Sequence, residues 1–254
     1  MSLKIALAAL VSSLAFGQFA SIRSHIDGET MTVTFSSPQI IVNEATGAPY
    51  SGERVSEHVQ TLPDGTHIKQ TISRTKIWRD SQGRTRTERT LGASQPGSGS
   101  GGFFVIEILD PVAGFMYVLD DQQRVAHRFA ISAAPPHPRP VTAAGAPKSA
   151  ATSTYEKLGT QDIEGVPAEG TRSTRTIPIG EIGNDGPITT STESWFCRDL
   201  RLLVLMKRVD QLGEHTMRFT QIDRSEPEPA LFMSPAGYTV AEEKDSLTLT
   251  LKRQ

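Results

Sequence analysis

Apolar and polar positions alternate with a period of two through most of this chain, and no long window keeps a helical apolar period. Leu247, Leu249 and Leu251 alternate with Thr248 and Thr250, which predicts a closing strand. Around Glu193–Val240 the pattern predicts three consecutive antiparallel strands. One carries Trp195 and Phe196, the second runs from Leu202 to Val209, and the third holds Met217, Phe219 and Ile222. Pro63-Asp64-Gly65 and Arg79-Asp80-Ser81-Gln82-Gly83 supply hairpin turns, because Pro presets φ and Gly accepts a positive one. Between them lies a strand with Ile68, Ile72, Lys76 and Trp78, followed by Arg84 to Arg89. A meander is expected over Phe103–Leu109, Phe115–Leu119 and Arg124–Ile131, and strands resume at Tyr155–Ile163 and Val166–Ile177. Met31–Phe35 reads as a short strand and Pro227–Phe232 as a helical turn. About ten strands of ordinary length account for the chain.

The start of the chain breaks this pattern. Lys4 precedes an apolar run, Ile5–Phe16, too short to span a bilayer, and Ala15-Phe16-Gly17 carries small residues where a signal peptidase reads. Residues 1–17 are therefore expected to be a cleaved signal peptide, with cleavage after Ala20 as the alternative. No cysteine follows for lipid attachment, and no later stretch is long enough for a spanning helix, so a periplasmic or secreted protein is expected. Loss of residues 1–17 removes Lys4 and no acid, taking the formal charge from -2 to -3. That balance argues against a nucleic-acid partner. Cys197 is the single cysteine, so a packed core rather than an internal disulfide must stabilise the fold.

Residues 18–52 read as an extension with one short strand, and 53–131 and 153–254 as the two halves of a sheet. Residues 132–152, with five prolines between Pro135 and Pro147, read as a Pro/Ala-rich linker. The fold class expected is mostly β, a single curved antiparallel sheet or partly open β-barrel with little helix.

Signals for catalysis are sparse. The six histidines form no H-x-H, H-E-x-x-H or Cys/His cluster, so no metal and no cofactor is expected. Cys197 with His215 is the one possible nucleophile pair, and a lone Cys in a β-rich chain reads first as a small buried hydrophobe. Glu193, Asp199, Asp210 and Asp223 are the candidates for a carboxylate pair, three of them at strand ends where acids serve turns. A non-enzymatic protein is expected, with a hydrolase as the lesser alternative. Arg74, Lys76, Arg79, Arg84, Arg86 and Arg89 cluster on one hairpin. Arg74, Arg84 and Arg86 are candidates for contact with an anion or a partner, set against a solvated Arg/Thr sheet face.

Glu193-Ser194-Trp195-Phe196, the Leu202–Val209 strand, Gly213–Arg224 and Ala230-Leu231-Phe232-Met233-Ser234-Pro235-Ala236-Gly237-Tyr238 together resemble the closing part of the periplasmic lipoprotein-carrier superfamily. Trp78–Arg86 and Leu158–Gly165 resemble a group of exported bacterial proteins with no assigned activity. The carrier resemblance implies a curved, unclosed antiparallel sheet whose concave face holds acyl chains or a lipidated partner. Residues 18–52 and the Pro-rich insert depart from the superfamily, whose members begin with a long helix. The expected ligand is a lipid, a lipidated protein or another amphipathic molecule. Phe104, Ile106, Phe115, Tyr117, Trp195, Leu203, Leu205 and Phe219 are the residues expected to line its site. The alternative is a regulatory or scaffold module that binds another envelope protein along a sheet edge.

Overall fold

The computed structural model describes residues 23–27, 30–36, 39–40, 45–91, 102–133 and 150–252. The expected signal peptide and residues 134–149 of the expected linker lie outside these.

In chain order the strands are β1 (Arg23–Asp27), β2 (Thr30–Ser36), β3 (Gln39–Ile40), β4 (Tyr50–Thr61), β5 (His67–Arg79) and β6 (Thr85–Leu91). They continue with β7 (Phe103–Asp110), β8 (Phe115–Asp120), β9 (Val125–Ala130), β10 (Ser132–Ala133), β11 (Thr152–Ile163) and β12 (Val166–Ile177). The last five are β13 (Ile188–Cys197), β14 (Leu202–Asp210), β15 (Gly213–Asp223), β16 (Thr239–Glu243) and β17 (Ser246–Lys252). Among the described residues the helical element is a 3-10 turn at Pro229–Phe232. The described strands outnumber the roughly ten expected, and β3, β10 and β16 are among those too short to carry an alternating apolar signal.

Twelve strands form one sheet in the order β11-β12-β13-β14-β15-β4-β5-β6-β7-β8-β9-β16, with β11 and β16 at its two ends. Pairing is antiparallel from β11 to β4 and from β6 to β9, and β16 adds to β9 in parallel. The expected fold class, an open and mostly antiparallel sheet with little helix, holds. Aspartates make the turns: Asp64, Asp110, Asp120, Asp162 and Asp210 each accept from a backbone N–H two or three residues on. Asp80 accepts from the Gln82 and Arg84 N–H groups, and Gly83 follows at φ 86°.

The chain divides into two compact units interleaved along the sequence. The first holds Met1–Gly47, Arg79–Pro135 and Pro227–Gln254, and the second Ala48–Trp78 and Pro136–Glu226. In the first unit, β2 and β17 form part of a separate three-stranded sheet, β1-β2-β17. Met31, Val33, Phe35, Leu249 and Leu251 from that sheet pack with Phe103, Val105, Met116, Val118 and Phe129 from β7–β9. This is a two-layer core. Arg84, paired to buried Asp80 at 2.6 Å, lies over the Phe232 ring at 5.2 Å, and Arg86 donates to the Leu231 carbonyl at 3.2 Å. These two cations hold the 3-10 turn. At the edge, β16 is tied to β9 by His127–Glu243 at 2.7 Å and by Arg128–Glu242.

In the second unit every regular element among the described residues is a strand of the one large sheet. Its buried cluster takes Val166 and Ala168 from β12, Trp195 and Cys197 from β13, and Leu202 and Val204 from β14. Phe219, Tyr50 and Ile77 join from β15, β4 and β5, with Leu200 from the β13–β14 turn. Leu158, Ile163, Leu205, Met217 and Ile222 pack against it while partly exposed.

Candidate functional site

Side chains directly opposite each other on antiparallel strands share a face, so the register of the second unit can be read rank by rank. Gly170, Trp195, Leu205, Arg218 and Val55 stand opposite one another in turn across β12, β13, β14, β15 and β4. The Trp195 indole lies against Gly170 so closely that a Cβ there would meet ring atoms at 2.6 Å. Its Nε1–H donates to Glu193 at 2.7 Å.

Two residues further along the strands, on the same face, the rank is Glu156, Arg172, Glu193, Lys207, Thr216 and Glu57. Arg172 bonds Glu156 at 2.9 Å and Glu193 at 3.0 Å, and Lys207 bonds Glu214 at 2.7 Å. Glu57 takes Lys69 at 3.1 Å and Arg218 at 3.3 Å. The Glu193 carboxyl is held below the usual range, first by the Trp195 hydrogen bond and then by Arg172. The next rank is Thr154, Thr174, Ser191, Val209, Glu214 and Val59, and beyond it Thr152, Thr176 and Thr189 align. On β12 and β13 this face therefore runs from apolar side chains through a charged rank to hydroxyls, while Val209, Glu214 and Val59 continue the last rank on β14, β15 and β4. At the far end Val59, Thr61, His67, Val209, Asp210, Gln211, Gly213 and Glu214 line an open hollow of about 310 Å³.

The eight residues expected to line a ligand site divide between the units. Trp195 and Phe219 belong to the second unit's cluster, Leu205 packs against it, and Leu203 stands opposite Phe196. Phe104, Ile106, Phe115 and Tyr117 are in the first unit. They alternate with Phe103, Val105, Met116 and Val118, which carry that unit's two-layer core. The Arg128 guanidinium lies 4.3 Å from the Phe115 ring.

Arg74 pairs with Glu53 at 2.9 Å, while Arg84 and Arg86 serve the 3-10 turn and Arg86 also pairs with Glu88. Arg89 pairs with the buried carboxylate of Glu107.

The catalytic candidates are dispersed. Cys197 is buried in the apolar cluster, and its strand β13 is two removed from the β15 that carries His215. His215 stacks instead on His58, ring centroids 4.2 Å apart, and a His58 ring nitrogen bonds the Leu212 carbonyl. Asp199 faces Arg224 at 3.9 Å, Asp210 faces Arg208 at 3.2 Å, and Asp223 accepts from the Ser225 N–H. Each acid has its own partner, and hydrogen bonding lowers the Asp223 pKa, the reverse of what a general acid needs. Among the described residues no group of three or more His, Cys, Asp or Glu is placed to hold a metal ion.

No family model and no curated protein matches the chain. Among solved structures it is similar to the lipoprotein LppX of Mycobacterium tuberculosis, with 12% identity, covering 72% of this chain and 90% of that one at a TM-score of 0.28. LprF of Mycobacterium bovis is similar at 13% identity, 73% and 91% coverage and a TM-score of 0.29. A LolA-superfamily protein of Nitrosomonas europaea is similar at 9% identity, 75% and 92% coverage and a TM-score of 0.29.

Proposed function

We propose that this is an exported, non-enzymatic protein of the cell envelope that binds an amphipathic ligand, a lipid or a lipidated protein, on the graded face of its second unit. One observation carries the reading. Along β12 that face presents Ala168, Gly170, Arg172, Thr174 and Thr176, and along β13 Cys197, Trp195, Glu193, Ser191 and Thr189. Apolar, charged and hydroxyl-bearing positions follow one another in the order that the tail and head of an amphiphile require. Trp195 and Leu205, beside Gly170 and Ala168, form its apolar end in this reading. Among the described residues no helix is long and apolar enough to cross a membrane.

Titration of the full chain with a fluorescent fatty acid tests this. Saturable uptake is expected, weakened about tenfold or more by Leu205→Arg with the far-ultraviolet circular dichroism unchanged. Absence of uptake by the unaltered protein would sink the reading.

A second reading, a module for an envelope protein partner, draws on β11. This strand ends the sheet, and ten of its twelve residues are exposed. An edge of that length can accept an added strand. A photo-crosslinker replacing Tyr155, itself 83% exposed, is expected on this reading to trap one protein in cells. Fatty-acid uptake without a protein adduct would set it aside.

A further inference from the structure

We infer that the head group received by this face is zwitterionic, a phosphate joined to an ammonium, and that the Glu156–Arg172–Glu193–Lys207 rank receives it. The inference rests on the amphiphile-binding reading above and adds the class of ligand. The rank alternates in sign across four successive strands, and its four charges cancel. The neighbouring partners extend the balance, since Glu57 is met by Lys69 and Arg218, and Glu214 by Lys207. Arg172 and Lys207 are about 40% and 44% exposed and Glu156 60%, so the rank is open to solvent.

Two β-bulges create this alternation. Counted without interruption from the Glu164-Gly165 turn, Arg172 would stand opposite Lys157, a like-charge pair. The bulge between Lys157 and Gly159 moves Glu156 opposite Arg172 instead. Counted from the Arg198–Arg201 turn, Glu193 would stand opposite Met206. The irregularity between Trp195 and Phe196 brings Lys207 there. Bulges re-aim side chains at functional positions, and here both place opposite charges in register beside Trp195.

A purely anionic head meets a carboxylate beside every cation of the rank, and like charges within a few ångströms disfavour it. A zwitterion satisfies both signs. Adjacent strands lie about 4.8 Å apart, about the separation of a phosphate and an ammonium joined by two carbons. Phosphate fits over Arg172 or Lys207 in charge-assisted hydrogen bonds. The ammonium fits over Glu193 or Glu156.

The test is calorimetric titration of the full chain with three single-chain amphiphiles of equal tail length, below their micellar concentrations. One carries a phosphoethanolamine head, one a phosphoglycerol head and one an uncharged maltoside head. The phosphoethanolamine form is expected to bind about tenfold more tightly than the phosphoglycerol form. Glu156→Gln is expected to narrow that preference, because the carboxylate that repels the phosphoglycerol head and receives the ammonium is removed. Equal or tighter binding of the phosphoglycerol form by the unaltered protein, or a preference unchanged by Glu156→Gln, would overturn the inference alone. Binding of none of the three would overturn the amphiphile reading and this inference with it.

Discussion

At the scale of the residue, Gly170 and Trp195 set the geometry of the site. The indole occupies the space a Cβ at Gly170 would take, so Gly170→Ala must shift the ring and loosen its bond to Glu193. Overpacking of this kind costs about 1–3 kcal/mol. Denaturant unfolding and the near-ultraviolet signal of Trp195 would report the loss, and an unchanged spectrum would contradict it. In the first unit, Glu107 is buried beside Arg89 and Thr87. Burial raises its pKa, and Arg89 and Thr87 oppose that rise. Glu107→Ala leaves an unpaired cation and is expected to cost about 3–5 kcal/mol. Arg89→Met with Glu107→Leu is expected to be neutral or stabilising by about 1–4 kcal/mol. His215 is lowered from 6.5, first by desolvation, then by His58 and Arg208, against a raising effect of Asp210. A base held neutral in the fold contributes its stability fully above 6.5 and loses it as pH falls through the lowered value. His215→Gln should therefore flatten the decline of the unfolding midpoint below pH 6.5.

At the scale of the element, strand existence was readable and register was not. The alternation Leu247-Thr248-Leu249-Thr250-Leu251 matches β17, and Pro63-Asp64-Gly65 and Asp80 mark turns the structure keeps. The charged rank was hidden because one inserted residue on β11 and another on β14 shift every later pair by one position. The His58–His215 stack was hidden for a related reason: β15 returns to pair with β4, more than 150 residues earlier in the chain. No local pattern encodes such a return. β16 escaped the pattern because its five residues, Thr239–Glu243, carry no apolar alternation, and its half-buried positions are Ala241 and Glu243. The rank itself is open to a double-mutant cycle. Arg172→Ala and Glu193→Ala are expected to show a small favourable coupling that weakens with added salt, since both groups are partly solvated. No coupling would mean that the pair does not form in solution.

At the scale of the whole molecule, the chain divides into two compact units, neither of them continuous in sequence. The composition pointed correctly to a sheet protein. It offered no sign of the interleaving, because the segments that change unit do so within strands and turns of ordinary polarity, near Gly47, Trp78 and Glu226. Of the residues named from sequence as ligand-lining, Trp195, Leu203, Leu205 and Phe219 lie in the second unit, Trp195 and Phe219 within its buried cluster and Leu205 packed against it. Phe104, Ile106, Phe115 and Tyr117 lie in the other unit, where the same alternating pattern serves a different face. The proposed function rests on the second unit, and bound ligand tests it most directly. The full chain would be expressed in a two-membrane bacterium, the protein purified without detergent, and its organic extract analysed by mass spectrometry. A stoichiometric acyl species is expected, and it should be lost from the Leu205→Arg protein. A clean extract, with no lipid taken up on later incubation, would contradict amphiphile binding.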